Sequence, residues 1–172
     1  MKKSLAILIS ILLFSFVAFG NDLNHVRTMF PKAADDENVT KGLLQFIQEK
    51  KLNTAIAWAY KATLEAIMAK YESNLFAKLG HVKKSSKSFL KAVEVSPNEP
   101  EIRILRYITE VHIPSYLGYS TNLTADKKVV LDYIKNNPTV NPEPQLRFLL
   151  KAMLDGGKLA KDEIVLIQKF IS

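Results

Sequence analysis

The residues that most often carry catalysis or bind metals are sparse in this chain of 172 residues. His25, His81 and His112 stand alone, and no two of them have the spacing of four that places paired ligands on one helix face. Glu110 and His112 are two apart, which directs them to different helix faces. Cysteine is absent, and no nucleophile elbow or phosphate-binding glycine loop occurs. The sequence predicts no enzyme, no catalytic residue, no metal and no cofactor.

Arg103 and Arg106 are the charged residues with the clearest potential for binding. They lie among isoleucine, leucine and tyrosine in a segment that should form a largely buried helix, where arginine rarely lacks a partner. Arg106 can pair with Glu110, four residues on, and Glu65 is a second candidate partner from another apolar helix. A structural ion pair is one interpretation. The other is that Arg103 or Arg106 faces a groove and binds an anionic ligand or a peptide carboxylate.

Tyr116 and Tyr119 lie in a loop predicted over residues 115–123, between two apolar helices. Exposed tyrosines on a rigid scaffold are common contact residues. We therefore take Tyr116 and Tyr119, together with Arg103 and Arg106, as candidate partner-binding residues. The alternative is that both rings fold back over an open end of the core, and solvent exposure of the rings distinguishes the two interpretations.

Lys83, Lys87 and Lys91 recur every four residues and form a basic ridge, with Lys84 and Lys78 close by. A nucleic-acid site would require interleaved aromatic residues or arginines, so we expect no nucleic-acid partner. The ridge is either a solvated face or a weak contact for an anionic lipid or polysaccharide surface, which high salt would disrupt.

Residues 1–20 have the form of a secretory signal peptide. The basic start Lys2-Lys3 is followed by an uncharged run to Phe19 and by Gly20, with a predicted cut before Asn21. We expect an exported protein, periplasmic or secreted, without an integral membrane segment after cleavage. The alternative is an uncleaved anchor, because the uncharged run approaches the length of about 17 residues that spans a bilayer.

The remaining chain is moderately basic, with 22 lysines and arginines against 17 acidic residues once the two leader lysines are removed. Its length permits a sizeable core without a disulfide or a metal. Apolar residues recur at helical spacing and no convincing strand pattern occurs, which predicts an all-α fold of about seven helices in antiparallel hairpins. We expect an N-terminal arm over residues 21–35 and a single helical domain over 36–172. Predicted helices cover 42–51, 54–71, 80–95 and 101–113, a fifth after a Thr124 cap, a sixth from Glu143 and a seventh from Asp162.

The segment 54–71 is apolar nearly all the way round, which is typical of a central helix. Its bulky residues Trp58 and Tyr60 are interpreted as core. A second interpretation takes Trp58, Tyr60 and Tyr107 as walls of a cavity for a small apolar ligand.

Ser85, Phe89, Ala92 and Pro97 stand at successive intervals of four, three and five residues. This pattern resembles the second helix of a tetratricopeptide repeat, in which small residues permit close helix packing and the proline ends the unit. A shift of 34 residues, the period of that family, places no proline in register. The segments 101–103 and 117–119 also resemble small exported bacterial helical proteins without an assigned activity. The tetratricopeptide resemblance implies stacked helical hairpins and a groove for a protein or peptide. Because a single repeat cannot bury its own face, the flanking hairpins would be degenerate repeats or an irregular α-helical bundle around it.

The sequence predicts an exported, non-catalytic helical scaffold or adaptor that binds a protein or peptide partner. The alternative from a different class is a carrier for a small apolar ligand in the cell envelope. An envelope enzyme has no positive support among the residues.

Overall fold

The structure is a computed structural model that describes residues 21–172. The predicted signal peptide, 1–20, lies outside the described residues. Every regular element of the described part is helical and none is a strand, which confirms the all-α prediction. It comprises α1 (residues 21–33), α2 (Glu37–Glu49), α3 (Ala55–Tyr71), α4 (Leu75–Val95), α5 (Pro100–Glu110), the short 3₁₀ helix η1 (Ser115–Leu117), α6 (Leu123–Asn136), α7 (Pro144–Asp155) and α8 (Lys161–Ile171).

Helix α1 occupies most of the segment that we expected to form an N-terminal arm, residues 21–35. Val26, Phe30 and Ala33 are spaced by four and three and are buried, so a narrow apolar stripe is enough to hold this helix. Thr40 of α2 donates its hydroxyl to the Ala33 carbonyl oxygen over 2.6 Å, which closes the turn between α1 and α2.

Contacts divide the chain into two compact units, with the boundary after Leu52. Helices α1 and α2 belong to the first unit, where Leu43 and Ile47 of α2 are buried. Helices α3 to α8 form the second unit.

Helix α5 is the centre of the second unit. It packs against α3, α4, α6 and α7, whereas α8 packs against α6 and α7. Nine of its eleven residues are buried. Helix α3, which its composition indicated as central, packs most extensively against α4 and also contacts α5. The core of the second unit therefore lies around two apolar helices, α3 and α5, which α4 connects along the chain.

Helix ends follow local capping chemistry. Asp36 and Thr54 accept backbone amides at the starts of α2 and α3, and Pro100 occupies the first turn of α5. Three starts differ clearly from prediction. Helix α2 begins at Glu37, five residues before the predicted start at 42. Helix α4 begins at Leu75, five residues before the predicted start, because Asn74 accepts two amides of the first turn. Helix α6 begins before Thr124, which lies within the helix instead of capping it.

Candidate partner-binding surface

Tyr116 lies on η1, the short turn between α5 and α6. Pro114 precedes η1, and Gly118 ends it with a φ of 74°, a left-handed conformation that glycine adopts readily. The amide of Gly118 donates to the Ser115 carbonyl oxygen over 3.0 Å. The Tyr116 side chain is 85% exposed, whereas Tyr119 is half-buried. The turn thus presents one tyrosine fully to solvent and the other in part.

The C-terminal end of the loop that carries Tyr116 is hydrogen-bonded back to α5 and to the residues that follow it. Ser120 donates its hydroxyl to the Ile113 carbonyl oxygen over 3.2 Å. Glu110 accepts from the amide and the side-chain Nδ2 of Asn122, over 2.8 and 2.7 Å. Burial raises the pKa of the Glu110 carboxyl from its ordinary value of 4.5, and the hydrogen bonds from Asn122 oppose that rise. These contacts fix the loop on the helical core.

Arg103 and Arg106 both bond to Asp126, in the first turn of α6. Arg106 donates Nε and Nη2 to the two carboxylate oxygens over 2.7 and 2.6 Å, and Arg103 donates Nη1 over 2.7 Å. Asp126 has 0% exposure. The ionic partner is therefore neither Glu110 nor Glu65, the two that sequence spacing indicated. All three charged groups are directed into the packing of α5 against α6, which favours the structural ion pair.

Two exposed apolar residues, Leu75 and Phe76, were missed by the sequence interpretation. They are the first residues of α4, and Phe76 is 84% exposed. We placed the start of this helix at residue 80, so both fell in a connector. The signal that identifies them is Asn74, an N-cap residue directly before an apolar pair.

The lysine ridge lies on the outer side of α4. Lys83 and Lys87 are exposed. Lys91 places its ammonium nitrogen 3.8 Å from the centre of the Trp58 ring, a cation–π contact between α4 and α3. Lys84 lies 4.0 Å from Glu65.

The three aromatic residues considered as cavity walls each have a defined contact. Tyr60 is fully buried, and its hydroxyl donates to Glu101 over 2.7 Å and accepts from Gln145 over 2.6 Å. Tyr107 donates its hydroxyl to the Gly157 carbonyl oxygen over 3.0 Å. Trp58 contacts Lys91 of the neighbouring helix α4. All three aromatic residues therefore connect separate segments of the fold.

A half-buried cluster of one histidine and two carboxylates lies where α3 and α4 meet. His81 Nδ1 is 2.7 Å from a Glu65 carboxylate oxygen, and its Nε2 is 3.4 Å from Glu72. His25 and His112 lie elsewhere and are exposed. No group of three or more histidine, cysteine, aspartate and glutamate side chains in residues 21–172 is arranged to hold a metal ion.

A short sequence pattern occurs twice, at residues 99–105 and 143–149. Both segments read Glu-Pro, then Glu or Gln, an aliphatic residue, Arg, an apolar residue and Leu. In each, the proline is in the first turn of a helix, α5 or α7. The glutamate and glutamine at the third place, Glu101 and Gln145, both bond to the Tyr60 hydroxyl. The repeated pattern thus occupies equivalent structural positions.

The repeated arginine, Arg103 or Arg147, makes equivalent contacts in the two copies. Arg103 donates Nε to the Pro97 carbonyl oxygen, six residues upstream, over 2.7 Å. Arg147 donates Nη2 to the side chain of Asn141, also six residues upstream, over 2.6 Å. Each arginine also bonds to the next helix: Arg103 to α6 through Asp126, and Arg147 to the last turn of α8. Each arginine therefore links the start of its own helix to the segment six residues upstream and to the helix that follows.

Among residues 21–172, no helix combines the length and the apolar character needed to cross a membrane. Comparison of the chain with protein-family models, with curated proteins and with solved structures finds no match.

Proposed function

We propose that this chain is an exported, non-catalytic helical scaffold that binds a protein or peptide partner. The observation that carries the proposal is the 85% exposure of Tyr116 on a turn whose loop is hydrogen-bonded back to the end of α5. A fixed tyrosine supplies a large apolar contact and a polar tip, and little side-chain entropy is lost when it is covered. Tyr119 is proposed to extend the contact from its half-buried position beside Tyr116.

The scaffold is proposed to consist of three antiparallel hairpins, α3–α4, α5–α6 and α7–α8. Contacts within the hairpins support this arrangement, because residues early in one helix meet residues late in the next. Trp58, near the start of α3, contacts Lys91, near the end of α4. Arg147, near the start of α7, bonds to Ile171 at the end of α8.

The hairpins are proposed to stack as in helical-repeat proteins, with equivalent helices side by side. Helices α3, α5 and α7 begin at intervals of about 45 residues, and the pattern at 99–105 recurs at 143–149. Along α6 and α8, Lys127 pairs with Glu163 over 3.0 Å, and the Tyr133 and Phe170 rings lie 6.2 Å apart. From the first pair to the second, the residue number rises in both helices, which supports a parallel course of α6 and α8.

Stacking in this order brings the turn after α3 and the turn after α5 to one edge. We name Leu75, Phe76 and Tyr116 the apolar edge. Three exposed large apolar side chains at one edge are suited to a partner segment with apolar residues. Arg103 and Arg106 are assigned to the scaffold in this proposal, because their guanidinium groups are already bonded to Asp126.

Site-specific photocrosslinking in cells of the native source tests the proposal. A photoreactive phenylalanine analogue replaces Tyr116 in one variant and Val165, an exposed residue of α8, in the control. We expect a reproducible protein adduct from position 116 that is absent from position 165. Equal adducts at both positions, or none at 116, contradict the proposal.

Affinity for the captured partner then separates contact residues from scaffold residues. Tyr116→Ala should weaken binding about thirty-fold, the magnitude typical of an interface hot spot, without a change in unfolding. Arg106→Met should lower stability while the affinity of the folded fraction is unchanged. Loss of affinity only in Arg106→Met reverses the assignment.

Export is proposed from the leader and is tested by N-terminal sequencing of the protein recovered from envelope and culture fractions. We expect a chain that begins at Asn21 in an extracytoplasmic fraction. Retention of residues 1–20 in a membrane fraction indicates the uncleaved anchor instead.

A further inference from the structure

Helix α4 has one buried side and one long outer side. Val82, Ser85, Phe89 and Ala92 are its buried residues, spaced by three and four. They define the face that packs against α3 and α5. The opposite face is exposed along most of the 21 residues of the helix. This outer face lacks a partner within the described part of the chain.

The outer face carries most of the basic excess of the second unit. Four of the five lysines of α4, Lys83, Lys84, Lys87 and Lys91, are exposed, against one acidic residue, Glu94, which is exposed on the same side. Lys83 and Lys87 are exposed and make no ion pair within residues 21–172. Lys84 places its ammonium nitrogen 4.0 Å from a Glu65 carboxylate oxygen, and Lys91 contacts a neutral ring. The positive potential along the face is therefore little neutralised by neighbouring acids.

Two exposed apolar side chains flank these lysines on the same side. Phe76 and Leu90 are 84% and 61% exposed. At 3.6 residues per turn, Phe76, Lys83, Lys87 and Leu90 fall within about 60° of arc, and Phe76 and Leu90 are about 21 Å apart along the axis. The apolar groups and the lysine ammonium groups thus point in one direction along some four turns.

We propose that the outer face of α4 binds the surface of an anionic phospholipid membrane, with the helix lying parallel to the bilayer. Phe76 and Leu90 enter the boundary between headgroups and acyl chains, while the lysines reach lipid phosphates on flexible stems. An acidic peptide is the competing partner. The face has no arginine to bind carboxylates in the bidentate manner that favours a specific peptide site, and its lysines are spread along a helix, which suits a diffuse negative surface.

Vesicle binding by the full chain tests this proposal. The vesicles contain phosphatidylcholine alone or phosphatidylcholine with one third phosphatidylglycerol, and the variants are Lys83→Glu/Lys87→Glu and Leu90→Ser. The matched control is Lys151→Glu/Lys161→Glu, which makes the same change in net charge at exposed positions of α7 and α8. The apolar leader is common to all the chains, so the comparison between variants isolates the contribution of α4.

We expect Lys83→Glu/Lys87→Glu to reduce partitioning onto anionic vesicles at least thirty-fold, since each lysine near such a surface contributes about 1 kcal/mol. The control pair should reduce it less than threefold, and Leu90→Ser should reduce it on anionic vesicles while leaving the fold unchanged by circular dichroism. Raising the salt concentration should weaken binding of the parent chain most.

Three results overturn the proposal. The first is an equal loss of binding in the two double variants, which would indicate net charge without a defined face. The second is equal binding of the parent chain to both kinds of vesicle, unaltered in the α4 variants. The third is vesicle binding that Lys83→Glu/Lys87→Glu leaves unaffected while binding to a polyglutamate peptide is lost, which would assign the face to an acidic peptide. Tyr116 is not altered in any of these variants, so partner capture at that residue is tested separately.

Discussion

Arg106 of α5 clasps Asp126 of α6 through both carboxylate oxygens, at 2.7 and 2.6 Å, where the aspartate has no exposed surface. Arg103 adds a third bond to the same carboxylate. The three residues link the central helix of the second unit to the helix that follows the tyrosine-bearing loop. Removal of the Asp126 charge alone is expected to be strongly destabilising, because the two buried guanidinium groups then lose their counter-ion.

Asp126→Asn removes the charge that two arginines share. We expect a loss of about 3–5 kcal/mol in the free energy of unfolding, because two buried guanidinium groups lose their counter-ion. The measurement is urea denaturation followed by circular dichroism. The matched control is Asp132→Asn on the same helix, where an exposed pair with Lys128 should contribute less than about 0.5 kcal/mol. Equal losses in the two variants contradict a special role for Asp126.

Glu110→Gln tests the raised pKa of that carboxyl. Burial favours the protonated form in the folded state, so the contribution of Glu110 is most favourable below its ordinary pKa of 4.5 and is lost as pH rises through the folded pKa. Glutamine stays neutral and can still accept a hydrogen bond from Asn122. We expect the stability of the variant relative to the parent to increase between pH 4 and pH 7. A difference in unfolding free energy that is constant over this range argues against a raised pKa.

Tyr107→Phe deletes the hydroxyl that donates to the Gly157 carbonyl oxygen and keeps the buried ring. We expect a loss of about 1 kcal/mol, the usual net contribution of such a hydrogen bond. Thermal unfolding measures it. Tyr116→Phe is the control, since the side chain is 85% exposed and its hydroxyl should contribute little to folding. A larger loss in Tyr116→Phe indicates that the Tyr116 hydroxyl has a partner in the folded protein.

Two glycine substitutions should act in opposite directions. Gly118 has a φ of +74°, so Gly118→Ala should destabilise the protein by about 1 kcal/mol through backbone strain in the turn that carries Tyr116. Gly80 lies inside α4 with open space at its Cβ position, so Gly80→Ala should stabilise the helix by about 0.5–1 kcal/mol. Chemical denaturation of both variants gives the comparison. A stabilising effect of Gly118→Ala excludes strain in that turn.

Helix positions in the sequence were predictable where the signal was a local cap or a proline. Asp36, Thr54 and Pro100 act within one turn of their own position, and the structure uses each of them. The start of α4 was predicted five residues late, at residue 80, because the cap at Asn74 was missed. Helix α1 was predicted as an arm, because the segment has few apolar residues and only three of them, Val26, Phe30 and Ala33, form its buried stripe.

The repeat at residues 99–105 and 143–149 was present in the sequence but lay at the wrong distance for the family that the residues resemble. A shift of 34 residues does not superpose the two copies, whereas the helices α5 and α7 begin 44 residues apart. The long loop between α5 and α6 lengthens the interval. The contacts of Arg103 and Arg147, and the bonds of Glu101 and Gln145 to the Tyr60 hydroxyl, show that the two segments have similar structural positions.

The sequence alone determined that the chain is helical, where most helices begin and that its lysines line one side of α4, because these features depend on neighbours within a few residues. The tertiary structure decided which groups meet. Arg103 and Arg106 have plausible partners at Glu110 and Glu65, but they bond to Asp126, some twenty residues away along the chain. Glu110 is directed to Asn122 and Glu65 to His81. Such pairings depend on how the helices pack against one another, and the spacing of side chains within one helix does not determine that packing.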